Sequence, residues 1–264
     1  MNKGRFLAGV DAGHVNTKAI IMRGGEILGF CTVATGFDVV AAAQTALDDA
    51  LGKVKISRGE LGGVVTTGIF RDMIEVPPLN VTRTVPEYIA DAKGALFLNK
   101  NSRTVIDIGG NIHKAICYDQ NGNLVDVTQN DKCADGAGIF YTTMAKALGL
   151  SEQEMSELAL KSTKNLSIAI QCALSAESDA IDLICQGRDI ADVANAISKF
   201  IVERVADMCT FMSLTKEIVV AGGLAKSQAI IKHLSSLLQQ EVSALKHPEY
   251  VGAIGAVIDN EGGK

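Results

Sequence analysis

The sequence predicts an α/β protein built by internal duplication into two similar domains, and two observations carry that prediction. The pattern D-x-G-x(4)-K-A-I occurs twice: Asp11, Gly13, Lys18, Ala19 and Ile20 recur as Asp107, Gly109, Lys114, Ala115 and Ile116 at a constant offset of 96 residues. Each copy ends one short apolar run and opens another, as a strand, a glycine loop and a second strand do. Composition agrees: of 264 residues, 26 are glycine and 4 proline, with aromatics at 5% and hydrophobic residues at 47%. That mixture suits tight turns around a core of aliphatic side chains. The offset is domain-sized, longer than the roughly 20–50 residues of a solenoid repeat.

Taken in order, Phe6 to Val10 reads as a strand, Lys18 to Met22 as its hairpin partner, and Glu26 to Val33 as a third strand beyond the Gly24-Gly25 turn. Asp38 caps a helix with apolar residues at Val39, Val40, Ala43, Leu47 and Leu51. Leu61 to Thr66 is a buried strand ending in Thr67-Gly68, and Pro86 opens a helix through Leu98 in which Gly94 permits close packing. The second copy repeats the hairpin, with strands at 104–106, 114–117 and 123–127 and an Asn121-Gly122 turn. A helix then runs to Leu148, Ser151 and Glu154 form a capping box, and a long amphipathic helix spans Ile190 to Met212. Lys216 to Val220 is a strand ending in Ala221-Gly222-Gly223, followed by a helix from Lys226 to Gln240, a last strand and a closing glycine-punctuated helix. The expected domains are residues 1–100 and 101–249, with the closing helix 250–264 packed on the first.

Charge and composition exclude several classes. A net charge of −5, with no Lys/Arg run, disfavours a phosphate-backbone partner. The absence of tryptophan removes the usual base-stacking platform. No nucleic-acid partner is expected. The apolar run before Asp11 is too short for a signal-peptide core, and no stretch approaches the roughly 18 apolar residues of a membrane helix. The six cysteines contain no CxxC pair, which points to a reducing compartment. The expectation is a cytoplasmic protein without a membrane partner, in which Cys31, Cys117, Cys185 and Cys209 are core thiols.

The loops carry the chemistry. A strand ending in Asp-x-Gly sets a carboxylate beside backbone N–H groups; the amides hold an anion and the carboxylate a magnesium ion. Two such loops, at Asp11 and Asp107, can clamp a polyphosphate, while Ala221-Gly222-Gly223 lets a flat ring or ribose come close to a helix start. No G-x(4)-G-K-[ST] motif is present, so this is a nucleotide site of another kind. Cys133 stands just ahead of Gly136, Gly138 and a helical pattern, where the helix dipole favours thiolate for reaction or metal binding. The plainer readings are that Asp11 caps a turn and that the cysteine is buried and inert.

Several motifs together are similar to those of a known family: Gly9-Val-Asp-Ala-Gly13 with Thr17-Lys18, Val105-Ile-Asp-Ile-Gly-Gly110, Asn130-Asp-Lys-Cys-Ala134 with Gly136-x-Gly138, Cys172 ahead of Ala176-Glu177-Ser178, Ala221-Gly-Gly223, and Gly252-Ala-Ile-Gly255-Ala256. Across nearly its whole length the chain resembles the actin-like ATPases. Within them it looks like the ATP-dependent activators of 2-hydroxyacyl-CoA dehydratases and the ATPase subunits of benzoyl-CoA reductase.

That resemblance implies duplicated actin-like (ribonuclease H-like) domains with a nucleotide cleft between them. It implies ATP/ADP and Mg2+ as ligands, with Asp11 and Asp107 as catalytic and magnesium-binding residues. Gly13, Thr17, Lys18, Gly109, Gly110, Gly136, Gly138, Ala221, Gly222 and Gly223 would line the nucleotide. It makes Cys133 and Cys172 cluster ligands; because a [4Fe–4S] cluster takes four thiolates, two subunits would share it as a homodimer or heterodimer. The implied activity is delivery of a low-potential electron, received from ferredoxin or flavodoxin, to a dehydratase or reductase acting on a CoA thioester. Three positions depart from the activators: Asn111-Ile112 replace Gln-Asp, and His14 replaces a serine or threonine. The second loop and the Gly94–Asn99 stretch look more like a benzoyl-CoA reductase ATPase subunit. The rival readings are a sugar or small-molecule kinase of the same fold and a non-hydrolysing nucleotide-binding partner subunit.

Overall fold

The computed structural model describes residues 4–77, 79–130, 136–169 and 172–262. The chain divides into two compact units, the first comprising Met1–Asn101, Tyr118–Leu124 and Glu249–Lys264, the second Ser102–Cys117 and Val125–Pro248.

In the first unit β1 (Phe6–Ala12), β2 (Asn16–Arg23) and β3 (Glu26–Ala34) form an antiparallel meander. Gly24 and Gly25, at φ 59° and 79°, make its tight turn; positive φ at both positions matches the strand twist and excludes bulkier residues. Helix α1 (Val39–Val54) follows, with Asp38 Oδ1 accepting from Ala41 N at 2.9 Å. Strands β4 (Leu61–Thr67) and β5 (Val81–Thr84) add in parallel and give the order β3-β2-β1-β4-β5.

Strand β2 is buried on both faces along Ala19, Ile20, Ile21 and Met22, which explains the unbroken apolar run of those four residues. Ala19 and Ile21 join the core that contains Ala43 and Leu47 of α1, whereas Ile20 and Met22 join Ala253, Ile254 and Val257 of the last helix, α8 (Val251–Gly262). α8 crosses α2 (Glu87–Leu98) backbone to backbone: a Cβ on Gly255 would stand 1.7 Å from Ala90 O, and one on Gly94 2.1 Å from Val251 O. Only hydrogen fits at both positions.

The second unit's sheet is built from β6 (Thr104–Ile108), β7 (His113–Tyr118), β8 (Leu124–Gln129), β9 (Ile218–Ala221) and β10 (Val242–Ala244), in the order β10-β9-β6-β7-β8, with only the β7–β8 turn and its two flanking residues, Tyr118–Leu124, counted in the first unit. Read from β8, this is the order of the first sheet. The duplication seen in one motif therefore extends to all five strands.

Helices α3 (Ala137–Ala147), α4 (Glu152–Ala159), α5 (Ala173–Cys185), α6 (Ile190–Cys209) and α7 (Gln228–Leu238) complete this unit. Ile106, Ile108, Tyr141, Met144, Phe200, Ile201, Val220 and Ile230 share its core. The capping box forms as read from sequence, Ser151 Oγ accepting from Glu154 N at 3.2 Å and Glu154 Oε2 from Ser151 N at 2.8 Å. On α6, Asp192 Oδ1 accepts from Lys164 N and Thr163 N, each at 2.9 Å, and from Ser162 Oγ at 2.8 Å. The backbone bond from Lys164, then the Ser162 hydroxyl, hold that carboxyl below its ordinary range. Among the described residues no helix is long and apolar enough to cross a membrane.

Candidate functional site

In the first unit the antiparallel register sets Asp11 opposite Lys18, and Lys18 Nζ meets Asp11 Oδ2 at 3.0 Å. The loop between them turns where Gly13 N donates to Asn16 O at 3.3 Å, and a Cβ on Gly13 would lie 3.0 Å from that carbonyl. Thr17 is fully buried: its hydroxyl bonds Thr35 Oγ1 at 2.9 Å, and Thr35 Oγ1 donates to Gly13 O at 2.8 Å. Thr17 thus supports the loop from beneath. His14, which has no visible partner in the sequence, meets the Phe70 ring edge-on at 5.3 Å between centroids.

The second unit repeats the arrangement. Asp107 faces Lys114 in register, with Nζ 3.4 Å from Oδ2. The repeated acid and lysine of the sequence motif are therefore cross-strand ion pairs in both units. Strand β9 brings Ala221 beside Asp107. Gly222, at φ 87° and ψ 173°, packs on the same strand end: a Cβ there would lie 2.4 Å from Ile108 O and 2.6 Å from Asp107 Oδ1. Gly223 has open space instead, with nothing within 4 Å of a built Cβ.

Helix α3 starts directly on this loop. A Cβ on Gly138 would stand 2.2 Å from Gly109 O, Ile139 N donates to Gly110 O at 2.9 Å, and Gly136 N donates to Asn111 O at 3.0 Å. Asp107, Gly109, Gly110, Gly136, Gly138, Ala221 and Gly222 thus meet within one unit.

The structure adds residues that the sequence reading did not join to the site. Strand β4 sets Thr67 beside Asp11, and Gly68, at φ 94°, would place a Cβ 2.4 Å from Ala12 O. These are the first unit's counterparts of Ala221 and Gly222. No constant offset reveals them, because α3 to α6 separate β7 from β9 in the second unit, lengthening the path from Asp107 to Ala221.

Cys133 lies outside the described residues; its neighbours Asn130 and Gly136 lie within them. Cys172 is exposed as the N-cap residue of α5, its carbonyl accepting from Ala176 N at 2.9 Å. Cys31, Cys117 and Cys209 are buried as expected. Burial raises the Cys31 thiol and pushes that of Cys209 up to about 12, so both stay protonated and inert at neutral pH. The expectation of a core thiol fails for Cys185, which is exposed because the last turn of α5 faces outward at Ile181, Asp182 and Ile184. Among the described residues no group of three or more His, Cys, Asp or Glu side chains could hold a metal ion.

Two mixed sheets of one strand order, each ending β1 or its equivalent in a lysine-paired aspartate, define an actin-like ATPase fold. The chain belongs to the BadF/BadG/BcrA/BcrD ATPase family, whose pattern matches residues 8–258. It is 30% identical over 254 residues to the (R)-2-hydroxyglutaryl-CoA dehydratase activating ATPase of Acidaminococcus fermentans, spanning 96% of each chain. The solved activator of the 2-hydroxyisocaproyl-CoA dehydratase from Clostridium difficile, with bound ADPNP, superimposes with a TM-score of 0.89 at 27% identity, covering 96% of this chain and 93% of that one. A benzoyl-CoA reductase subunit of Thauera aromatica is 30% identical over 173 residues, 63% of this chain and 61% of that protein.

Proposed function

We propose that this protein is an ATPase activator that couples ATP binding and hydrolysis to one-electron delivery toward a CoA-thioester dehydratase. The observation that carries this reading is the pair of Asp–Lys loops, the second of which is hydrogen-bonded to both flanks of the Cys133 segment. Relatives named as dehydratase activators match 96% of the chain, whereas the reductase subunit matches 63%, which favours a dehydratase partner over benzoyl-CoA reductase.

ATP is the ligand of the Asp-x-Gly loops. Lys18 and Lys114 neutralise the aspartates beside them, so that phosphate can approach a carboxylate without net repulsion. Asp11 and Asp107 are the magnesium-binding residues of this reading, since a carboxylate suits Mg2+, which keeps waters and substrate phosphates as its remaining ligands. Gly223, open at its α-carbon, admits the base or ribose. Asn111 serves the loop through its backbone carbonyl, which accepts from Gly136 N, and Ile112 O lies close against Gly109, 2.6 Å from where a Cβ would stand, so the departure in their side chains leaves these backbone features in place.

An exposed thiol at a helix start fits a cluster ligand, since the helix dipole stabilises its thiolate. Cys172 is that ligand, and Cys133 is the second. Two thiolates per chain make a [4Fe–4S] cluster the joint property of two chains, as homodimer or heterodimer. The cluster, when bound, supplies a low-potential one-electron centre, filled by ferredoxin or flavodoxin.

Mg2+-dependent release of phosphate from ATP, with no sugar added, tests the assignment. Asp107→Asn is expected to lower turnover at least about a hundredfold, the scale of losing a group that acts on developing charge. Turnover that needs an added acceptor sugar supports the kinase reading, and an Asp107→Asn protein as active as the parent removes Asp107 from the site.

A further inference from the structure

In the first unit three elements bring polar side chains to one bare α-carbon. A Cβ on Gly252, at the start of α8, would lie 3.2 Å from Asp91 Oδ1, 3.6 Å from Asp11 Oδ2 and 3.6 Å from Thr67 Cγ2. Asp91 comes from α2, Asp11 from β1 and Thr67 from β4. A side chain at position 252 would stand among them.

Thr67 is buried, and among the described residues its Oγ1 has no hydrogen-bond partner. A buried hydroxyl of that kind is a place for a water or an ion. Its side chain stands on the same face of the sheet as that of Asp11, because the two residues pair in parallel register. The second unit shows that the fold does not need this hydroxyl: the residue beside Asp107 in the matching position is Ala221. Nor does packing call for a carboxyl at Asp91. Its buried neighbours along α2 are Ala90, Ala92, Gly94 and Ala95, and an uncharged side chain would cost less to bury there. Carboxyl and hydroxyl oxygens are what hard divalent cations and their waters take as partners.

We propose that Asp91 and Thr67 are positioning residues for magnesium, holding the water shell of the ion that Asp11 binds. The proposal rests on the reading of the Asp11 loop as a metal and nucleotide site. Mg2+ keeps several waters when carboxylates and phosphates bind it, so two carboxylates and a hydroxyl suit it without an all-protein cage. Removing a group that orients a metal's ligands ordinarily costs about 10–100-fold in metal affinity.

The test measures ADPNP binding to the full chain by calorimetry, in EDTA and across a Mg2+ titration. The parent is expected to bind ADPNP more tightly as Mg2+ rises. Asp91→Asn keeps the shape and is expected to raise the Mg2+ concentration at half effect about tenfold or more. In EDTA the same variant is expected to bind ADPNP as the parent does or more tightly, since one negative charge is gone. A merely structural role would weaken binding under both conditions. Thr67→Val, which keeps the shape without the hydroxyl, is expected to raise the Mg2+ requirement about threefold to tenfold, the worth of one hydrogen bond. Thr67→Ser is expected to restore the parent's value. An Asp91→Asn protein with the parent's Mg2+ dependence, or one that loses ADPNP equally with and without Mg2+, overturns the proposal. A Thr67→Val protein that responds to Mg2+ as the parent does also overturns it, even where Asp91→Asn fails to fold. A parent that binds no ADPNP, or whose ADPNP binding ignores Mg2+, overturns the metal and nucleotide reading itself, and the proposal with it.

Discussion

Alanine at Gly222 and alanine at Gly223 are predicted to have opposite consequences, although the residues are adjacent. Gly222 sits at φ 87° and ψ 173°, a region open essentially to glycine alone; a side chain forced there costs on the order of 1–3 kcal/mol. The new methyl would also lie 2.4 Å from Ile108 O and 2.6 Å from Asp107 Oδ1. The first of these is backbone in a central strand and cannot rotate away, so overpacking adds roughly 1–3 kcal/mol. The sum, roughly 2–6 kcal/mol, is a large share of a typical fold stability of about 5–15 kcal/mol. At about 2–4 °C per kcal/mol, the melting temperature should fall by roughly 4–24 °C. Gly223→Ala meets nothing within 4 Å and should stay within about 0.5 kcal/mol of the parent, or about 2 °C. Because that space is assigned to the nucleotide, Gly223→Ala should weaken ADPNP binding about tenfold, the effect of roughly 1.4 kcal/mol. Far-UV circular dichroism melts and calorimetric ADPNP titrations of the three proteins measure both effects. A Gly222→Ala protein melting with the parent, or a Gly223→Ala protein melting as low as Gly222→Ala, refutes the reasoning from backbone contact.

Gly255→Ala should be more damaging than Gly52→Ala. The first methyl would fall 1.7 Å from Ala90 O and force α2 and α8 apart, at about 3 kcal/mol or more, seen as a lowered melting temperature or insolubility. The second has open space on the exposed face of α1 and should stabilise by about 0.5–1 kcal/mol. For Asp192, a carboxyl held below its ordinary range adds stability that is fully present above its unfolded value, near about 3.9, and is lost as pH falls through the folded value. Denaturant melts should therefore show Asp192→Asn less stable than the parent by a constant margin above about pH 5, with the margin closing below about pH 4. A margin that stays constant through that acid range contradicts the assignment.

Much of the first-order architecture was legible because the motif itself encodes register. Asp11 with Lys18 and Asp107 with Lys114 can face each other only if each loop turns tightly between antiparallel strands, and the glycines make that turn possible. β5 was not legible: Val81–Thr84 is a four-residue edge strand with no apolar alternation, recruited by pairing with β4. Nor was the burial of Thr17, since one step of alternation from exposed Asn16 turns its hydroxyl toward Thr35, eighteen residues on. The Asn130–His113 bond spans seventeen residues and consists of one amide oxygen on one backbone N–H, a contact that composition and periodicity do not register. At Cys133 and Cys172 the sequence supplied motif and spacing, and the structure adds an exposed helix start for the second.

The central claim, a cluster held jointly by two chains, is met most directly by iron and acid-labile sulfide analysis after anaerobic reconstitution, with the mass of the assembly measured on the same sample. Four thiolates per cluster and two per chain predict about two irons per chain in a dimer, lost in both Cys133→Ala and Cys172→Ala. An iron-free protein, about four irons on a single chain, or a cluster that survives either substitution would contradict it.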